Sequence, residues 1–479
     1  MNFNSLQYLL FLPITLILYF TLPKKVKNPL LLAASFFFYG CWEPVYALLM
    51  LFSIVATYFC GRLVAREKTT GKKKLWLTLC LVINLAILFF FKYFNFFADT
   101  LGLVLGQTLP TLNVLLPVGI SFYTFQALGY TIDVYRGDVP AERNFIDYAL
   151  FVSFFPQLVA GPIERTGNIV PQLKVIHKFR FANLRDGMLL ILWGLMKKMV
   201  IADNLALAVN TVYNAPYDKN GVQMLFATLC FAFQIYCDFS AYSDIARGSA
   251  KILGIRLMRN FDFPYGARSI KEFWRRWHIS LSTWFKDYLY FPLGGSRVKK
   301  WRHCLNLMIV FVVSGLWHGA AITYVLWGFL HGAYQIIGIW LTPLREKFYA
   351  KILAKDHPVM SALRWLGTFI LVNIAWVLFR ANSLQDAWFI LSGIFTLPFG
   401  ASFGLGDLGI TTASLIVTLA AVVVLIAVDF LNHRSPLADK INRTLWLRYA
   451  VYFLLLLSIL IFGYYGDGFD PQDFVYFQF

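Results

Sequence analysis

Charge is scarce in this chain. Asp, Glu, Lys and Arg make up 14% of its 479 residues, against about 25% in a soluble globular protein. Together with 59% hydrophobic residues, that scarcity excludes an ordinary water-soluble enzyme, a disordered protein and a nucleic-acid-binding module as first readings. Cysteine is sparse as well. The six, at 41, 60, 80, 230, 237 and 304, lie mostly inside apolar runs and form no CxxC or Cys/His spacing, so they read as small core residues and no metal is expected. HExxH, GxSxG, Walker A and GxGxxG patterns are missing, which leaves zinc proteolysis, serine hydrolysis and nucleotide hydrolysis without support. The apolar runs lack period-two alternation, which disfavours a β-barrel. No internal repeat, low-complexity linker or sizeable soluble domain interrupts the chain.

What is there are long apolar runs. With about 20 residues needed per span, roughly ten to twelve spans fit, and the sequence predicts an all-α, polytopic transmembrane helical bundle of about eleven spans with re-entrant and interfacial helices, one domain over residues 1–479. Asn2 to Leu22 has no basic leader and no small-residue cleavage site, so it reads as a retained first span, with Lys24, Lys25 and Lys27 as its stop. Pro29 to Cys60 is broken at Glu43-Pro44 and is either a hairpin or a kinked pair. Arg62, Arg66, Lys68, Lys72, Lys73 and Lys74 mark a cytoplasmic loop and put the N-terminus outside. Leu75 to Phe97 then crosses outward to a nearly uncharged loop, Ala98 to Pro110. Further apolar segments run over 111–130, 146–163, 187–206, 222–240, 305–340 (two helices meeting near Gly319), 362–380, 386–399, 411–431 and 448–464. The acidic tail with Asp467, Asp470 and Asp473 is expected outside, so both termini face away from the cytoplasm. The net charge of +18 belongs on this reading to cytoplasmic loops.

Residues 247–302 stand apart: thirteen Lys and Arg face three acids, Asp262, Glu272 and Asp287, interleaved with Trp274, Trp277, Trp284, Phe285, Tyr288 and Tyr290. As one helix this segment would put Trp274, His278, Leu281 and Phe285 on one face and Glu272, Arg276, Ser280, Thr283 and Asp287 on the other, an amphipathic helix at the cytoplasmic surface of the lipid bilayer. Its cations suit either anchoring to anionic lipid or binding the phosphates of a soluble donor such as a coenzyme, with Arg275, Arg276 and Lys286 as candidate donor-binding residues.

Of seven histidines, His177, His303, His357 and His433 lie in or beside basic loops and read as solvated. His318, in Val313-Ser-Gly-Leu-Trp-His-Gly-Ala-Ala321, lies between apolar segments among small residues. An ionisable side chain at membrane depth is a functional-site hypothesis by default, and imidazole is suited to take a proton from a hydroxyl at neutral pH. The alternative is a neutral histidine bonding between helices. His331 follows thirteen residues later, about 20 Å along a straight helix, so it cooperates with His318 only if the chain turns between them; otherwise it is structural. His278 would point into a pocket or sit at the interface.

These residues carry a resemblance. Asp238-Phe-Ser-Ala-Tyr-Ser-Asp244, Phe261-Asp-Phe-Pro-Tyr265, Phe273-Trp-Arg-Arg-Trp-His-Ile-Ser280, Trp284 to Gly295 and Gly315-Leu-Trp-His-Gly319 occur in the order seen in membrane-bound O-acyltransferases. With Leu116 to Phe125 and Pro156 to Pro162, the chain most resembles the bacterial alginate O-acetyltransferase branch.

The resemblance implies a fold with a central funnel in an inner membrane. It implies that an acetyl group passes from a cytoplasmic thioester, acetyl-CoA, to a hydroxyl outside, in exopolysaccharide O-acetylation. It assigns catalysis to His318, within the 305–340 helices, and the cytoplasmic side of the tunnel to His278. Trp317, Gly319, Trp277, Asp238 and His331 would support the site, although Asp238 and Asp244 read equally as interhelical hydrogen-bond partners. The immediate acceptor it implies is a serine of a periplasmic or extracellular SGNH-type partner, which would pass the acetyl group to a polysaccharide. Two alternatives stand beside this: D-alanyl transfer to teichoic acid from a carrier-protein thioester, and a non-enzymatic lipid or sugar transporter.

Overall fold

The computed structural model describes residues 1–159, 161–351, 357–396, 408–465 and 474; the acidic tail at Asp467, Asp470 and Asp473 lies outside them. Among the described residues the chain is built of helices joined by irregular segments, with no strand. Seven helices there are long and apolar enough to cross a membrane, and Leu6–Thr21 and Phe145–Leu158 are shorter apolar helices. The protein is thus a multi-pass, all-helical membrane protein. Two compact units form: Met1–Ile191 with Tyr242–Met258, and Leu192–Ala241 with Arg259–Phe479. The 32-residue helix Gly221–Ile252 contributes to both.

In the first unit the break at Glu43-Pro44 separates two helices, Lys24–Gly40 and Pro44–Arg66, with proline at the start of the second, where its missing N–H costs nothing. Lys24, Lys25 and Lys27 open a helix here instead of ending the first span. The span expected over Leu75 to Phe97 is longer. Thr70–Leu88 continues through a π-helical turn, Phe89–Tyr93, into Phe94–Leu105, so part of the expected loop is helical. The apolar stretch from 111 stays irregular until Ile120, because Pro110 and Pro117 have no N–H to give and Gly119 adopts φ +72. Buried polar groups pair with one another: Tyr8 Oη with Ser249 Oγ at 2.7 Å, Tyr148 Oη with Thr57 Oγ1 at 2.7 Å, and Ser53 Oγ with Asn84 Oδ1 at 2.6 Å. Helices immersed in hydrocarbon require such pairing. Cys60, Cys80, Cys230 and Cys237 are buried as expected, while Cys41 is exposed.

In the second unit the segment read as one amphipathic helix is two. Ile270–Arg276 and Ile279–Phe285 are separated by Trp277 in an extended conformation and His278 at φ 44, ψ 55. The loop before them supplies the bonds a continuous helix would have made. Asn260 accepts from Ile279 N through its carbonyl (2.9 Å) and from Ser280 N through Oδ1 (3.2 Å). Trp274, Trp277, His278, Leu281 and Phe285 are all buried, so this part of the segment is packed core and does not lie on the lipid surface.

Glu164, in the first unit between two short helices, accepts from Met258 N and from Asn168 Nδ2 (2.7 Å). Burial pushes its carboxyl up to about 7, against the pull of these hydrogen bonds. A carboxyl whose folded pKa lies above its unfolded value destabilises the fold as it ionises, so stability should fall as pH rises from about 4.5 to about 7, by about 1–3 kcal/mol. Thermal unfolding in detergent across that range should show the fall in the wild type and a flatter profile in Glu164→Gln; equal profiles would remove Glu164 as its source.

Candidate active site

The helix Lys300–His318 ends on His318, and the chain reverses through Gly319 to Ala321 into Ile322–Trp340. Glycine makes this antiparallel pair possible. A Cβ on Gly315 would fall on the Tyr324 carbonyl, one on Gly328 on the Phe311 carbonyl, and one on Gly319 on the Tyr324 ring. The two backbones therefore touch, and the chain does turn between His318 and His331. His318 is 3% exposed and sits among aromatic rings: Trp317 at 4.9 Å, Trp327 at 5.0 Å and Phe379 at 5.5 Å between centroids.

His278 meets His318 at 6.3 Å and Trp317 at 6.0 Å, and its other side is held by Phe239 at 4.6 Å. It is fully buried. A left-handed backbone at a residue with a side chain costs about 1–3 kcal/mol and collects at functional sites; here it turns the imidazole towards the end of the Lys300–His318 helix. His331 is reached through Trp327, which lies 5.0 Å from each of the two histidines. Trp274 Nε1 donates to His331 Nδ1 at 3.2 Å, and the Phe273 ring lies nearly parallel to the imidazole, at 5° and 6.3 Å. Trp277 packs farther along the same aromatic group, against Phe261, Phe273 and Trp376, and Trp376 stacks on Trp327. Arg276 is tied to Glu272 at 2.5 Å and donates to Phe263 O at 3.2 Å, while Arg275 and Lys286 are exposed.

Asp238 is part of a buried ion network that the sequence reading missed. Lys198 Nζ lies 2.8 Å from both Asp203 Oδ1 and Asp238 Oδ1, and Lys197 Nζ donates to Ser240 Oγ at 2.7 Å. All four charged side chains are almost completely buried. The signal was visible as two lysines inside the apolar run 187–206, where a π-helical turn, Lys197–Ala202, places both in the interior. The network's Asp238 precedes Phe239, the ring against His278, so it anchors the helix turn that supports that imidazole. Asp244, by contrast, pairs with Arg247 on its own helix at 2.9 Å. Removing Lys198 would strand two buried carboxylates. Lys198→Ala should therefore lower unfolding stability by about 3–5 kcal/mol, read from a denaturation curve in detergent; an unchanged midpoint would mean that the network does not hold this region.

Chemically, a buried imidazole walled by indole and phenyl rings can take a proton from a hydroxyl while water is kept out. Residues 141–381 match the family model described as MBOAT, membrane-bound O-acyltransferase family. The chain is 41% identical to the probable alginate O-acetylase AlgI of Pseudomonas aeruginosa, over 83% of this chain and 75% of that one. It is 38% identical to the peptidoglycan O-acetyltransferase of Helicobacter pylori, over 80% and 77%. Identity to the teichoic acid D-alanyltransferase of Streptococcus thermophilus is 30%, over 62% and 77%.

Proposed function

The chain belongs to the membrane-bound O-acyltransferase family and is an acyltransferase, and from that premise we propose that it moves an acetyl group from a cytoplasmic thioester, acetyl-CoA, to a hydroxyl on the far side of an inner membrane. His318 is the general base. The observation that carries this reading is the placement of His318: an ionisable side chain 3% exposed, at a helix end, facing a second histidine across 6.3 Å within a wall of aromatic rings.

In the reaction the hydroxyl oxygen attacks the thioester carbonyl as His318 takes its proton. The carbonyl–sulfur bond then breaks, and the proton passes to the departing thiolate, leaving an ester and a free thiol. Base catalysis of this kind contributes about 10²–10⁴ in rate. Trp317, Trp327 and Phe379 exclude water, which would otherwise hydrolyse the thioester. His278 positions the reacting groups, and Gly319 lets the chain turn beside them. Arg275, Arg276 and Lys286 belong to the basic, cytoplasmic part of the chain, on the donor's side of the membrane. The basic loops face the cytoplasm and both termini lie outside.

The acceptor is a serine of an SGNH-type periplasmic or extracellular partner that acetylates a polysaccharide. The names of the Pseudomonas and Helicobacter relatives support an O-acetylated glycan as the final product.

Purified protein with acetyl-CoA and such a partner should release thiol in a partner-dependent manner. His318→Ala should lower the rate by about 10²–10⁴ with its melting temperature retained. Full activity in a folded His318→Ala variant would remove His318 from the chemistry, and thiol release only from a carrier-protein thioester would put D-alanyl transfer first.

A further inference from the structure

The first unit contains a preformed basic cavity. The helices Phe181–Met196 and Gly221–Ile252 touch at Gly187 and Gly248, where a Cβ on either glycine would lie 2.6 Å from the other's carbonyl oxygen. Beside this crossing a cavity of about 900 Å³ opens, lined by His177, Lys178, Arg180, Arg247, Lys251 and Arg256. Among the described residues that line it, Asp186 is the one acid. Its carboxylate is engaged by Arg185 at 2.8 Å and by Lys251 at 2.9 Å, and Arg247 is engaged by Asp244 at 2.9 Å. Lys178, Arg180 and Arg256 are exposed and have no ion pair among the described residues.

The walls are tied together through the backbone. Gln172 accepts from Arg256 N at 2.8 Å and donates to Arg256 O at 3.0 Å. His177 Nε2 bonds Gln172 O at 2.9 Å, and Lys27 Nζ donates to His177 O at 3.3 Å. Gly254, at φ +92, lies so close to the His177 ring that a Cβ there would meet Nδ1 at 2.7 Å. The cations are therefore held around an existing space. Its rim is apolar: Val175, Ile176 and Phe179 are 59%, 45% and 54% exposed.

We propose that this cavity is a binding site for phosphate esters. Arg and Lys converging on a concave space favour a multiply charged anion, and the volume suits a headgroup or a nucleotide. Two molecules present that chemistry at a membrane surface: an anionic phospholipid such as phosphatidylglycerol, whose acyl chains would lie on the apolar rim, and a soluble nucleotide thioester, which rests on the acetyl-CoA reading above.

The test compares the full-length protein with Lys178→Glu/Arg180→Glu/Arg256→Glu, three exposed positions where charge reversal leaves the packing intact; equal melting temperatures in neutral detergent check this. One arm titrates coenzyme A, and the other measures thermal stabilisation by phosphatidylglycerol in phosphatidylcholine bilayers. Affinity about tenfold or more weaker in the variant, in either arm, is expected and identifies the source. Variant and wild type alike in both arms would overturn the site. Wild-type thiol release, measured in parallel, separates the two ideas: release with both binding arms unaltered leaves acyl transfer standing and removes the cavity. Lost lipid binding without any thiol release leaves the cavity and removes acyl transfer.

Discussion

Contact between two helix backbones at Gly315 and Gly328 is the constraint on which the histidine site depends. In a bilayer, helices gain little by hiding apolar side chains from lipid, and close packing of small residues drives their association. Here that packing closes the pair Lys300–His318 and Ile322–Trp340 tightly enough for Trp327 to touch His318, while its helical neighbour His331 lies one turn further on. A side chain at either glycine would collide with a backbone carbonyl of the partner helix. The site's geometry thus rests on atoms that are missing from two residues.

A second constraint is the cost of burying polar groups. Asn260 takes over the hydrogen bonds of a helix interrupted at His278, Lys198 is paired with Asp203 and Asp238, and Lys197 donates to Ser240. Neither arrangement is cheap. A buried ion pair is weak support for stability in itself, because desolvation offsets the attraction. What it provides is a fixed position: Asp238 is bonded, and the next residue, Phe239, packs on His278.

The histidine site of the second unit and the basic cavity of the first carry different kinds of polarity. In the second, ionisable groups are enclosed and surrounded by rings, an environment that amplifies electrostatics and excludes water. In the first, cations line an open cavity with an apolar rim, an environment that attracts anions. Chemistry suits the former and capture suits the latter.

Composition and hydropathy were enough to identify a polytopic helical membrane protein, because hydrocarbon admits only long apolar helices or closed barrels as spans. Motif order, with one histidine in a small-residue setting, made His318 the candidate, and the structure shows that it is buried among aromatic rings. The interruption at His278 was hidden, since a run such as Phe273 to Phe285 has sound helical periodicity, and the hydrogen bonds that Ile279 N and Ser280 N donate to Asn260 exist only in the folded chain. The partnership of Lys198 with Asp238 joins residues forty positions apart, and the Gly187–Gly248 crossing joins residues sixty-one apart. Local pattern reports which residues prefer lipid or water. Which of the remaining polar groups meet is decided by helix packing, because only in the folded chain does each buried charge have to find its partner.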